Sequence, residues 1–237
     1  MSLLTNFQSV QDKIEDANKW AIAILEHTLA FDDTLSMYYY GPNLIDHSGN
    51  GKNGTLTGSY STSSEGITFS GGYGTSYSMT TVAGTFEMYC KVNSNFTPVN
   101  TSNWYQMSTL FGCELGDLQQ DFAVCLNTNG YITLGYVSSG NADSTYNSYV
   151  SGNTGSYIHI AVTIEGATMK FYINGSLYTT VTRKTSGTVP PNIGLFWNKS
   201  GTGTAVKGTL AVYRYFSKVL TQTEITNLYN WTKQGLR

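Results

Sequence analysis

Between Tyr157 and Val181 the chain spells out three strands and the turns that join them. Ile158, Ile160, Val162 and Ile164 alternate with His159, Ala161 and Thr163, the period-2 pattern of a strand with one buried face. Glu165-Gly166-Ala167-Thr168 interrupts that beat, and Met169, Phe171 and Ile173 resume it against Lys170 and Tyr172. Asn174-Gly175 then follows, a pair whose tolerance of positive φ suits a two-residue type I′ hairpin. Leu177, Thr179 and Val181 carry the pattern onto a third strand. An antiparallel meander of this kind needs a second layer to cover its apolar face, which points the whole chain toward an all-β sandwich.

The composition agrees. Charged residues are only 12% of 237, while Gly, Ser, Thr, Asn and Tyr abound, with 18 Tyr. That suits many short strands joined by polar turns and excludes long helices over most of the length. A net charge of −2 gives no electrostatic basis for binding nucleic acid. There is no apolar run long enough for membrane insertion, and the N-terminus reads as amphipathic rather than as a secretion signal. Cys90, Cys113 and Cys125 are an odd set without CxxC spacing, so neither a disulfide framework nor a zinc site is expected. Cys90 falls on the apolar beat Phe86, Met88, Cys90, Val92 and reads as a small buried hydrophobe.

Residues 1–36 form a distinct arm before a domain at 37–237. Up to residue 33 the arm has six acids and two bases. Leu3, Phe7, Val10, Ile14, Ala17, Ala21, Ile24, Thr28 and Phe31 are spaced alternately four and three apart, an unbroken heptad pattern that predicts an amphipathic helix. Leu4, Trp20 and Leu25 widen the stripe. Two uses of it stay open: the helix lies on its own sandwich, or copies from several subunits pack about an axis. Branched residues at the d positions favour three or more strands, hence a trimer over a parallel dimer. In this second use Leu3, Phe7, Val10, Ile14, Ala17, Ala21 and Ile24 are the oligomerisation or attachment residues.

Three stretches carry a family resemblance. Tyr157 through Gly175 resembles the W-x-H-I-A-V-T, turn, L-x-L-Y-V-N-G core of laminin-G-like, concanavalin-A-like domains, with Tyr157 as the leading aromatic. Asp46-His47-Ser48-Gly49-Asn50-Gly51-Lys52-Asn53-Gly54-Thr55-Leu56 is similar to their D-x-S-G-N-G-N-x-G-T-L segment. Gly208 through Ile225 resembles their closing G-x-I-x-x-V-R-I-Y-x-R-A-L-S-x-x-E-I. The resemblance covers about residues 38–231 and implies a two-sheet antiparallel jelly-roll sandwich. Its histidine matches His159, a structural position. Thr221 with Glu224 is a capping box that predicts a short C-terminal helix from about Gln222 to Trp231. Some relatives hold calcium near the glycine-rich loop. Asp46 alone is a poor site for a hard cation, so Asp46 and Ser48 are expected to bind the loop's own amides.

The chemistry of a site is harder to read. Glycan-cleaving relatives carry E-x-D-x-E or E-x-D-x-x-E on one strand, which sets carboxylates on one face. This sequence has neither; Glu114 and Asp117 are the nearest acidic pair, at a spacing that does not share a strand face. No GxSxG, P-loop or HExxH is present, so an enzyme is not expected. Two long polar loops, residues 93–105 and 138–156, are where binding would reside. Trp104, Tyr105, Tyr146, Tyr149 and Trp197 are the candidate ligand residues, because sugar faces pack on aromatic rings. The competing reading of each is ordinary packing, above all for Trp197 in its apolar run.

The expectation is therefore a non-catalytic adhesion or structural protein on a virus particle, a bacteriophage head or tail component. Its lectin-like sandwich displays loops toward host glycan. The arm binds copies of itself or other virion proteins. The alternative is a bacterial carbohydrate-binding module, secreted or at the cell surface; a glycoside hydrolase ranks below both.

Overall fold

The computed structural model describes residues 34–93, 96–98, 103–113, 120–127, 129–146, 156–189, 192–197 and 205–235. The chain divides into Met1–Thr34 and Leu35–Arg237. The seven heptad positions from Leu3 to Ile24 lie outside the described residues.

Among the described residues, fifteen strands and one α-helix follow in order: β1 Leu35–Tyr40, β2 Thr55–Thr57, β3 Tyr60–Ser63, β4 Gly66–Phe69, β5 Tyr73–Thr75, β6 Gly84–Val92, β7 Ser108–Cys113, β8 Phe122–Leu126, β9 Ile132–Val137, β10 Asn141–Tyr146, β11 Ile158–Glu165, β12 Thr168–Ile173, β13 Ser176–Thr182, β14 Gly194–Leu195, β15 Gly208–Phe216 and α1 Gln222–Gly235. All pairings are antiparallel and form two sheets. The first runs β13-β12-β11-β6-β15-β4-β3, with β1 added beside the C-terminal half of β15; the second runs β10-β9-β8-β7-β14-β5-β2. The predicted sandwich is present. Its core is one cluster in which alternate positions of both sheets meet, among them Phe86, Met88 and Cys90 of β6, Phe122 and Val124 of β8, and Ile160 and Val162 of β11.

The meander forms as its pattern requires. Asn174 and Gly175 take φ of 49° and 76°, the two left-handed residues of a type I′ turn. The other Asn-Gly pair behaves differently: Leu126 pairs with Ile132, so Asn129-Gly130 sits in a five-residue loop. Asn127 holds that loop, its side-chain oxygen accepting from the amides of Asn129 and Tyr131.

The capping box closes α1, with the Glu224 carboxylate accepting from the Thr221 amide at 2.7 Å and the Thr221 hydroxyl accepting from the Glu224 amide at 3.3 Å. The helix extends to Gly235, past the predicted end at Trp231, because its last turn has work on the sheet beneath. Arg214, wholly buried, donates from Nη1 to both oxygens of Glu87 (3.0 and 2.7 Å) and to the Thr232 hydroxyl (3.0 Å). Its guanidinium lies between the rings of Tyr38 and Trp231, at 4.7 and 4.6 Å from their centroids. His159, also at zero exposure, brings Nε2 to 3.2 Å from Glu87. Burial alone would raise the Glu87 carboxyl, but the Arg214 charge and then His159 hold it down at about 2. No helix among the described residues is long and apolar enough to cross a membrane.

The glycine-rich loop after β1 is organised by Asp46. One carboxylate oxygen accepts from the amides of Tyr38 and Ser48 (2.9 and 3.0 Å), the other from the Ser48 hydroxyl and the Lys52 amide (2.9 and 2.8 Å). Burial would raise this carboxyl, yet those donors keep it below the usual range. With three donors from its loop and one from β1 on two oxygens, Asp46 is saturated, and no lone pair is left for calcium.

Two tests follow from these contacts. Glu87→Gln should lower stability by about 3–5 kcal/mol at neutral pH in denaturant unfolding, since it strands a buried guanidinium. A depressed folded-state pKa stabilises the fold above the unfolded value of roughly 4.3 and ceases to do so as pH falls toward 2. Acid unfolding over that interval should therefore be shallower in the variant, and an unchanged pH profile would contradict the assignment. Thermal melts in millimolar calcium and in chelator should coincide, whereas Asp46→Ala should melt lower in both.

Candidate functional site

The outer face of the second sheet carries a feature set by strand register. Gly135 of β9 pairs directly with Ala123 of β8, Ala123 with Gly112 of β7, and Gly112 with Gly194 of β14. Directly opposed residues share a face, so four small residues line up across four strands where side chains would otherwise stand. Two tryptophans use the vacated space. A Cβ at Gly135 would fall 2.3–2.5 Å from three atoms of Trp104, and a Cβ at Gly194 would fall 2.1–2.9 Å from three atoms of Trp197. Each ring is thus seated over a glycine.

Different local structure brings each ring there. Trp104 opens a 3₁₀ turn, Trp104–Gln106, that lies above β8, β9 and β10. It packs with Met107, Ala123, Cys125 and Val137 into a small cluster separate from the main core. The Cys125 thiol there, pushed up by burial, contacts Met107 Sδ at 3.6 Å and the Thr133 carbonyl at 3.4 Å. Trp197 follows a kink. Phe196 has φ of 55°, a left-handed conformation that costs about 1 kcal/mol in a residue with a side chain. Leu195 and Phe196 both enter the core, Phe196 stacking on Phe69 at 5.2 Å, and the kink lets Trp197 leave it for the outer face. There Trp197 approaches the ring of Tyr73 at 6.1 Å.

Between the two seats lies a shallow depression lined by Trp104, Tyr105, Thr109, Gly112, Cys113, Ala123 and Trp197, with an enclosed volume of about 10 Å³, room for about one water. Tyr105 meets Trp104 edge to face, 5.9 Å apart and inclined by 86°. Three of the five aromatic candidates are therefore neighbours here. Their roles differ from the expectation in one respect: Trp104 is 2% exposed, so it is a wall and not a stacking platform. Its indole N–H is buried without a hydrogen-bond partner. Tyr146 is elsewhere, on β10 at the seam between the sheets, edge-on to Tyr178 at 5.0 Å and packed against the core. It is part-exposed there and lies away from the depression. Tyr149 lies outside the described residues, as do Glu114 and Asp117.

Among the described residues the lining has aromatic faces, the hydroxyls of Thr109 and Tyr105 and backbone amides, with no carboxylate, lysine or histidine. Such a surface can bind an uncharged ligand that offers both CH faces and oxygens. Among the described residues no group of three or more His, Cys, Asp or Glu is placed to hold a metal. The sequence reading missed the small-residue row. Isolated glycines inside strand patterns, as at Gly112 and Gly194, signal close approach of another group, but only pairing shows that they are aligned.

Comparison with known proteins now bears on the fold. A laminin-G-type family model, described as the concanavalin A-like lectin/glucanases superfamily, matches residues 62–226. The chain belongs to this superfamily. Curated protein sequences give no match. Among solved structures, this lectin-like sandwich is similar to domain 4 of AbnA, an extracellular arabinanase from Geobacillus stearothermophilus, in complex with arabinotriose, at 19% identity and a TM-score of 0.63, covering 83% of this chain and 98% of that one. It is also similar to the binding domain of botulinum neurotoxin DC in complex with SialylT, at 15% identity and a TM-score of 0.63, covering 87% and 52%. The receptor binding domain of botulinum neurotoxin D gives 15%, 0.63, 85% and 53%. The chain thus spans about half the length of these toxin domains. At such identities the likeness is one of fold.

The glycine seats are open to test. Gly135→Ala should leave the sandwich folded but displace Trp104, destabilising by about 1–3 kcal/mol and shifting tryptophan fluorescence to longer wavelength. Unaltered emission would mean that the ring does not depend on its seat.

Proposed function

We propose that this chain is a non-catalytic glycan-binding display protein. The observation that carries the reading is the depression on the outer face of the second sheet, where Trp104, Tyr105 and Trp197 converge over Gly112 and Ala123. Aromatic faces beside a hydroxyl and free of charge suit the apolar faces and oxygens of a neutral sugar. The left-handed Phe196 supports it, since local strain is retained where it places a working side chain.

The arm completes the proposal. Its heptad pattern from Leu3 to Ile24 is suited to joining copies of the chain, so that several weak sites act together. Cysteines that form no disulfide and sparse charge are in keeping with a component assembled inside a host cell and carried on the surface of a virus particle, a bacteriophage head or tail. A second reading is a secreted or cell-surface carbohydrate-binding module. It is favoured by the match over nearly the whole of an arabinanase domain.

A neutral-glycan array with full-length protein is the direct test. Trp197→Ala and Tyr105→Ala are expected to reduce binding at least tenfold while shifting Tm little, because both side chains are partly exposed. Binding unaffected by either change would refute this location for the site. Light scattering of the full chain and of residues 34–237 tests the arm: a multimer reduced to a monomer supports it, and equal monomer masses remove it. The genes beside this one distinguish a particle protein from a polysaccharide-use module.

A further inference from the structure

The chain holds four Asn-Gly pairs, at 50–51, 53–54, 129–130 and 174–175. An asparagine before glycine is chemically reactive, because the next backbone nitrogen is not shielded by a Cβ and can attack the side-chain amide carbon. The attack needs that N–H free, the asparagine side chain able to swing, and room for a ring to close. The fold withholds these conditions from three of the pairs. The Gly54 N–H donates to the Leu44 carbonyl and the Gly130 N–H to the Asn127 carbonyl, each at 2.8 Å. The Asn53 side chain is engaged too, accepting from the Asp46 amide at 2.8 Å. Asn174 is held twice by His159, donating its amide to that carbonyl at 2.8 Å and accepting at Oδ1 from that amide at 3.1 Å. Gly175 after it is buried against Tyr229.

Asn50-Gly51 differs. Both residues are exposed, nothing stands within 4 Å of where a Cβ of Gly51 would lie, and its N–H meets no acceptor among the described residues. The Asn50 side chain is held only by exposed donations from Nδ2, to the Leu35 carbonyl (3.0 Å), the Ser36 carbonyl (3.4 Å) and the Ser48 hydroxyl (2.9 Å). We infer that Asn50 is a site of spontaneous deamidation, a slow and irreversible modification that loosens the start of β1. The Gly51 nitrogen gives up its proton and bonds to Cγ of Asn50, the Cγ–Nδ2 bond breaks, and ammonia leaves. Water then opens the cyclic imide at either carbonyl, giving aspartate or isoaspartate, with no oxidation or reduction. In both products the donor that faced Leu35 and Ser36 becomes a carboxylate, which cannot donate and repels their carbonyls. Isoaspartate also lengthens the main chain just before the Lys52 amide that Asp46 accepts. The Ser48 and Lys52 side chains still reach Ser36, so the strand is loosened and not detached.

The test ages the full-length protein at physiological temperature and mildly alkaline pH, native and in urea, and follows each pair by peptide mass mapping. Trypsin cuts after Lys52 and so separates the two neighbouring pairs. Native Asn50 should convert at least ~10-fold faster than the other three, whereas in urea the four should agree within about threefold, as barriers set by structure alone require. Equal native rates, or a native order that repeats the order in urea, would overturn the site. Asn50→Asp should speed hydrogen exchange of the β1 amides over wild type. Unchanged exchange would overturn the loosening while leaving the modification, which the wild-type mapping decides without any variant.

Discussion

Five elements of this protein meet at one guanidinium. Arg214 on β15 is paired with Glu87 on β6, approached through that carboxylate by His159 on β11, and held between Tyr38 of β1 and Trp231 of α1. A buried charge is tolerated only where its partners are placed well. Each element is therefore committed to one position: β1 cannot slide along β15 without taking the Tyr38 ring off the guanidinium, nor α1 turn on the sheet without removing the Trp231 ring and the Thr232 hydrogen bond. Aliphatic packing at the same sites would be as stable and far less particular. The cluster joins the first described strand to the last helix on the outer face of the first sheet, whose edge strands β3 and β13 stay largely exposed.

The second sheet carries the row of small residues on its outer face. Its outer surface shows what a sheet must give up to seat large rings: side chains at four aligned positions. Gly135, Ala123, Gly112 and Gly194 reduce the sheet to nearly bare backbone, and two indoles occupy the ends of the row. The strain at Phe196 belongs to the same design, since without a left-handed residue Trp197 could not point outward directly after two core residues. Asp46 illustrates the contrasting case. It is an acidic residue in a glycine-rich loop with the look of a ligand site, yet its oxygens are consumed in shaping the loop and fastening it to β1.

Much of this could be read from one dimension. The meander, the type I′ turn at Asn174-Gly175, the capping box at Thr221 and the buried Cys90 are local patterns, and the physics behind each acts within a few residues. Trp104, Tyr105 and Trp197 could be nominated from type and loop position alone. Their division into one buried ring, Trp104, and two part-exposed ones could not, because exposure depends on what folds over them. Tyr146 looked equivalent to Tyr105, both being tyrosines in polar segments. It differs because β10 runs at the edge of its sheet, where its ring meets Tyr178 from the other.

By itself, then, the order of residues determined the fold class, most strand positions, the terminal helix and a short set of aromatic candidates, since alternation, turn chemistry and caps are written in neighbouring residues. Only the tertiary structure decided that Glu87, Arg214 and His159 share one buried site, and that Gly112, Ala123, Gly135 and Gly194 form one row. Those residues lie tens of positions apart, and strand register, a property of the whole sheet, is what brings them side by side.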